Sequence, residues 1–215
     1  MSAPWWTTPS SIGGDAAVAL SPSGEHVGVL WRDEGGALRH LHLASDRDLR
    51  CDAPRPDADA AVSPLEPERL AQVAQMCRRV WSRHESHRLR YGFRYDRSRF
   101  ERSGELRLGP DEIGLTCATL VLAVYRSVGL ELLRRDEWPE RPEDTARWVT
   151  LVAMLEAHGV DAAHIKALRG QTDAPRYRPD EVAAASSVAP PCPFSEASAR
   201  AAALAEARGR SPPTP

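Results

Sequence analysis

The chain has 215 residues, 42% apolar and 27% charged, proportions that exclude collagen-like, wholly disordered and membrane-embedded classes and leave an ordinary globular protein. Its 28 basic and 30 acidic residues are interspersed and sum to a formal charge of −2, so no global field draws it onto nucleic acid or an anionic membrane. Four widely separated cysteines (Cys51, Cys77, Cys117, Cys192) form no Cys-x-x-Cys pair and no Cys/His cluster at zinc spacing, which argues against a disulfide framework and a structural metal.

No apolar run is long enough to span a bilayer, and the start Met-Ser-Ala-Pro-Trp-Trp lacks the charged and apolar regions of a signal peptide. The expectation is a cytoplasmic protein without stable membrane insertion. Residues 1–14 read as a polar N-terminal arm whose Trp5 and Trp6 tuck against the domain. Ala16 to Leu20 is a short apolar run, Ser21-Pro22-Ser23-Gly24 a turn, and His26 to Trp31 a second run rich in valine. Asp33-Glu34-Gly35-Gly36 then turns the chain into Ala37 to Ala44, which completes a predicted antiparallel β-meander. Residues 52–62, heavy in Pro, Asp and Ala, read as a linker out of the sheet.

Ser63-Pro64-Leu65-Glu66 has the form of a helix start capped near Ser63, and Leu70, Val73, Met76, Cys77 and Val80 recur at helical spacing to about His84. Residues 89–109 alternate aromatic and basic types (Tyr91, Phe93, Tyr95 and Phe100 among Arg90, Arg94, Arg97, Arg99 and Arg102) and predict a loop or irregular β segment. The whole 63–110 stretch reads as a helical and loop insertion. Gly114-Leu115-Thr116-Cys117 leads into the most apolar helix, with Gly129 at its stop. A further helix is expected from near Asp144 to Gly159, with a continuation from Asp161 to Arg169. After Gly170, Pro and Ala dominate and large apolar side chains almost vanish, so 171–215 reads as a disordered tail, transiently helical from Ser195 to Ala207. The fold class expected is α+β: one domain over 15–170, a small meander packed against three to four helices.

Cys117 falls in the first turn of its helix, among unsatisfied backbone N–H groups and at the positive end of the dipole. That placement is expected to lower the thiol pKa, and the thiolate is the nucleophile. The bland alternative is concrete, because Cys117, Val121, Val124 and Val128 share one helix face and form a core stripe. His26, His40 and His42 fall on two adjacent predicted strands; His40 and His42 are two apart and share a face. Exposed histidines on a wet sheet face would be the ordinary explanation.

Glu25-His26-Val27-Gly28-Val29-Leu30, followed by a turn and a strand with a second polar residue, resembles the His-x-Gly-aliphatic strand of circularly permuted papain-like proteins, the group of permuted NlpC-type hydrolases and lecithin:retinol acyltransferase-like enzymes. Gly114-Leu115-Thr116-Cys117-Ala118-Thr119-Leu120-Val121 resembles the nucleophile helix, which follows the histidine strand in the permuted order. The resemblance implies Cys117 as nucleophile, His26 as its general base, and His40 as the polar third member, with His42 the alternative. It further implies that the Cys117 backbone N–H helps hold an oxyanion. The activity implied is a thiol hydrolase or acyltransferase acting on an amide or ester of a small molecule, peptide or lipid, with no metal or organic cofactor.

Other readings compete. Residues 19–31 also fit one strand-turn-strand of a β-propeller blade, but no second copy exists. The Arg78 to Arg107 stretch has the residue types of a single-stranded nucleic-acid surface, yet Asp96, Glu101 and Glu105 dilute it, and no nucleic-acid partner is expected. The rival from another class is a non-catalytic adaptor or immunity-type protein of a bacterial locus, with Cys117 in the core and the C-terminal tail tethering a protein partner.

Overall fold

A computed structural model describes residues 4–209, except for the side chains of residues 86 and 87. The chain is α+β. β1 (Trp6–Thr7), β2 (Ala16–Leu20), β3 (Val27–Arg32), β4 (Leu38–Ser45), β5 (Asp48–Asp52) and β6 (Asp59–Ala61) form an antiparallel sheet in the order β1-β6-β2-β3-β4-β5. Helices α1 (Pro67–Ser82) and α2 (His84–His87) follow, then the ribbon β7 (Arg99–Phe100) and β8 (Leu106–Arg107). The rest is α3 (Cys117–Arg126), α4 (Pro142–Ala157), α5 (Ala162–Arg169), α6 (Pro179–Ala185) and α7 (Phe194–Ala207).

The meander closes where its turns demand. Between β3 and β4, the Asp33 carboxylate accepts from the N–H groups of Gly35 (3.0 Å) and Ala37 (2.9 Å), while Gly36 takes a φ of 79° that a side chain would strain. Strand alternation then sorts the side chains. Val18, Leu20, Val27, Val29, Trp31, Leu41 and Leu43 face the main core, with α1, α3 and α6 packed against them. Ala17, Ala19, Leu30 and Ala60 face the other way, under Ile12 and Leu38. Helix α3 is buried from Cys117 to Tyr125, as its apolar sequence requires.

Four expectations need correction. The supposed linker 52–62 contains the end of β5 and all of β6, which pairs with both β1 and β2, and Ala60 and Ala61 are buried there. Helix α1 begins at Pro67, whose fixed φ suits the first helical position, and Ser63 instead accepts from the Leu65 N–H at 3.3 Å. The 63–110 stretch is built into the core and is no appendage to it: Val73, Cys77 and Val80 of α1 are wholly buried, as are Phe93 and Phe100, and Tyr91 and Tyr95 nearly so.

The fourth concerns the tail. Residues 179–185 and 194–207 are helices, and Val182, Ala183, Ala184, Ala197 and Leu204 have at most 1% exposure. Alanine loses no side-chain entropy on burial and lets helices approach closely, so an Ala-rich segment packs without large apolar residues. Cys192 bridges to Leu133 in a parallel pair, the Trp5 indole N–H donates to Arg200 O at 3.2 Å, and Arg208 pairs with Asp59. Of the region expected to be disordered, residues 210–215 lie outside the described residues.

Candidate active site

The entry to α3 is fixed by backbone contact. Gly92 and Gly114 lie against each other so closely that a Cβ on either would collide with main chain, and Leu115 N–H donates to Arg90 O at 2.9 Å. Thr116 then caps the helix: its Oγ1 accepts from Thr119 N–H at 3.1 Å, and Thr119 Oγ1 accepts from Thr116 N–H at 2.7 Å. This reciprocal cap, with threonine where Glu or Gln is usual, holds Cys117 at the first helical position.

Cys117 is 6% exposed and lines a cavity of about 180 Å³ together with His26, Tyr91, Ala44 and residues of α4. The Val27 and Ala118 backbone N–H groups and the Arg176 charge favour the thiolate, but burial outweighs them and pushes the thiol above its ordinary value. The expected depression is therefore reversed, because desolvation opposes the charged form more strongly than one helix terminus supports it.

His26 sits where β3 and β4 part. The β3–β4 pairing runs from Arg32↔Leu38 to Val29↔Leu41; beyond it Val27 and Gly28 keep partners in β2, and His42 and Leu43 keep partners in β5. His26 and Cys117 line one cavity at this end of β3. Burial, followed by the neighbouring His42 and Arg50 charges, lowers the His26 pKa to about 4, so its imidazole is neutral at pH 7.

His26 Nε2 and His42 Nδ1 are 2.8 Å apart, and His42 Nε2 lies 3.2 Å from Asp52 Oδ2. A carboxylate only accepts, so His42 donates to Asp52 from Nε2, and in that single-proton tautomer its Nδ1 is the acceptor. His26 must then donate from Nε2, which leaves Nδ1 as its lone-pair nitrogen. His40 holds a different position: it stacks on His42 with ring centroids 4.6 Å apart, its Nε2 has no hydrogen-bond partner, and burial drives its pKa down to about 3. Of the two residues proposed as third member, His42 is the one bonded to His26. Gly28 makes the cluster fit, since a Cβ there would overlap His40 Nε2, Leu41 O and the His42 Cβ.

Sequence reasoning missed several residues of this site. Asp52 stands directly across from His40 and diagonal to His42 in the β4–β5 ladder, a position that needs the register of β5, a strand the sequence did not announce. Tyr91, from the stretch read as a loop, lines the cavity with Cys117. Arg147 and Trp148 come from α4, and Arg176 from the segment read as tail; Trp148 is held by stacking on Phe93 at 4.2 Å and by an N–H bond to Ala174 O at 3.0 Å. Among the described residues, no three His, Cys, Asp or Glu side chains are grouped to hold a metal ion, and no helix is long and apolar enough to cross a membrane. No family model, curated protein or solved structure matches the chain.

Proposed function

We propose that this protein is a thiol hydrolase or acyltransferase with a permuted papain-like arrangement, acting on an amide or ester through an acyl-enzyme on Cys117. The observation that carries the reading is one cavity lined by a helix-initial cysteine and by a histidine whose tautomer is set through His42 and Asp52. The order of the two motifs, histidine strand before cysteine helix, agrees with it.

The resting pair is a neutral thiol and a neutral imidazole. As Cys117 Sγ bonds to the substrate carbonyl carbon, its proton passes to His26 Nδ1, and the imidazolium is stabilised through His42 towards Asp52. The carbonyl oxygen gains the negative charge beside the Cys117 backbone N–H. Collapse breaks the C–N or C–O bond, and His26 returns the proton to the leaving nitrogen or oxygen. Water or another nucleophile then gives its proton to His26, attacks the thioester and releases Cys117.

The low exposure of Cys117 is what favours the rival, a non-catalytic protein with this cysteine in its core. One experiment separates them: the native protein is treated with p-nitrophenyl acetate and digested for mass spectrometry. An acetyl group on Cys117, with a nitrophenol burst that is lost in Cys117→Ser and strongly reduced in His26→Ala, is expected. Labelling that begins only once the protein unfolds would leave the core reading standing.

A further inference from the structure

Two guanidinium groups line the wall of the same cavity. Arg147 Nη2 lies 2.6 Å from Glu25 Oε2, and Arg176 Nη2 lies 3.7 Å from the same oxygen. Arg176 is largely buried, with 14% side-chain exposure, and its guanidinium stands 5.7 Å over the Trp148 ring. Its second carboxylate, Asp144, is 3.6 Å away and already accepts hydrogen bonds from Arg141 (2.7 Å) and Arg178 (3.1 Å). Among the described residues, Arg176 thus has two distant ion-pair partners and no short one. Glu25, in contrast, is half-exposed in the β2–β3 turn, one residue before His26. Its carboxylate sits in the mouth of the cavity and can swing into water at little cost.

Resting on the acyl-transfer reading of Cys117, we propose that the acyl donor carries a carboxylate close to the scissile bond, and that Arg176 and Arg147 bind it in the place the Glu25 side chain now occupies. Guanidinium groups are suited to planar, bidentate recognition of carboxylates. Removing Glu25 alone would leave Arg147 without its carboxylate and Arg176 with Asp144, which Arg141 and Arg178 already share, so an incoming anion restores what departs. Met154 and Leu151, also on the cavity wall, leave apolar surface for the remainder of the acyl group.

The test is a pair of reagents of nearly equal size, iodoacetate and iodoacetamide, whose rates at Cys117 are compared with those at a free cysteine. In each, Sγ bonds to the methylene carbon, the C–I bond breaks and iodide leaves; only the acetate carries a charge. The expected result is a saturable preference for iodoacetate about tenfold above the free-cysteine ratio, the size of one charge-assisted hydrogen bond. That preference should fall to the control value in Arg176→Gln and Arg147→Gln and rise in Glu25→Gln. Arg147 is half-exposed, so its variant carries the test if Arg176→Gln does not fold. Fast iodoacetamide labelling without an anion preference would overturn the carboxylate site and leave the thiol reading intact. If Cys117 reacts with neither reagent, acyl transfer fails, and calorimetric titration of Cys117→Ala with N-acetylglycine against N-acetylglycinamide decides the anion site: Arg147-dependent binding of the acid alone upholds it, and no binding overturns it.

Discussion

His42 donates to Asp52 at 3.2 Å on one side of its ring and accepts from His26 at 2.8 Å on the other, so the orientation of a half-buried imidazole is set from a carboxylate at the surface. Asp52→Ala is expected to slow Cys117 acylation about tenfold, within the range seen for outer hydrogen-bond partners, with little change in the urea midpoint because the side chain is 57% exposed. Asp52→Asn should recover part of the rate, since its Oδ1 accepts the same bond. Burst kinetics with p-nitrophenyl acetate measure both.

Gly28→Ala should be costly out of proportion to one methyl group. The added Cβ meets main chain at Leu41 and the His42 Cβ, neither of which is a flexible end that can move aside. A loss of about 2 kcal/mol is expected from such overpacking, together with loss of thiol reactivity. Urea denaturation and iodoacetamide labelling of the same sample check the pairing of the two effects.

Acid should unfold the protein through its histidines. His26 and His40 have folded pKa values of about 4 and about 3, below an ordinary value of about 6.5, so between these limits the unfolded chain binds more protons than the folded one. Stability is full above about pH 6.5 and is lost as pH falls towards 4 and 3; for His26 alone the loss is roughly 3 kcal/mol. His40→Phe keeps a ring on His42 and removes the unpartnered nitrogen. It should flatten the acid limb of the urea midpoint plotted against pH and raise stability at neutral pH by about 1 kcal/mol.

Leu204→Ala should cost about 3 kcal/mol, the value for a fully buried leucine, although composition places it in a tail. Deleting residues 194–209 should abolish cooperative unfolding in circular dichroism melts.

What was legible follows from which signals are local. Strands near 16–20, 27–32 and 38–45 announce themselves through valine runs and the Asp33 to Gly36 turn, and the helix at Cys117 through its apolar length and Gly129. Helix α6 was hidden and α7 read as only transiently helical, because alanine burial depends on how closely another helix approaches, which no single segment records. His26 and His42 could be brought near each other by hairpin reasoning. Asp52 and Arg176 could not, since one depends on a ladder register across a bulge at Leu43/Ser45 and the other on a segment 59 residues past the cysteine that was read as unfolded. The direction of the Cys117 pKa was missed for a related reason: the helix dipole is a property of local sequence, whereas burial is a property of everything packed around it.

The bond from Trp5 to Arg200 and the pairing of Arg208 with Asp59 bring the first strand and last helix of the described chain side by side. A short bridge between the two ends, with a new opening cut in the exposed stretch at 53–57, would leave the sheet and helices in place. The polypeptide would then be synthesised with the cysteine helix ahead of the histidine strand. Chain order and site geometry are separable in this architecture, and a reordered protein that still labels at Cys117 would make that independence visible in the test tube.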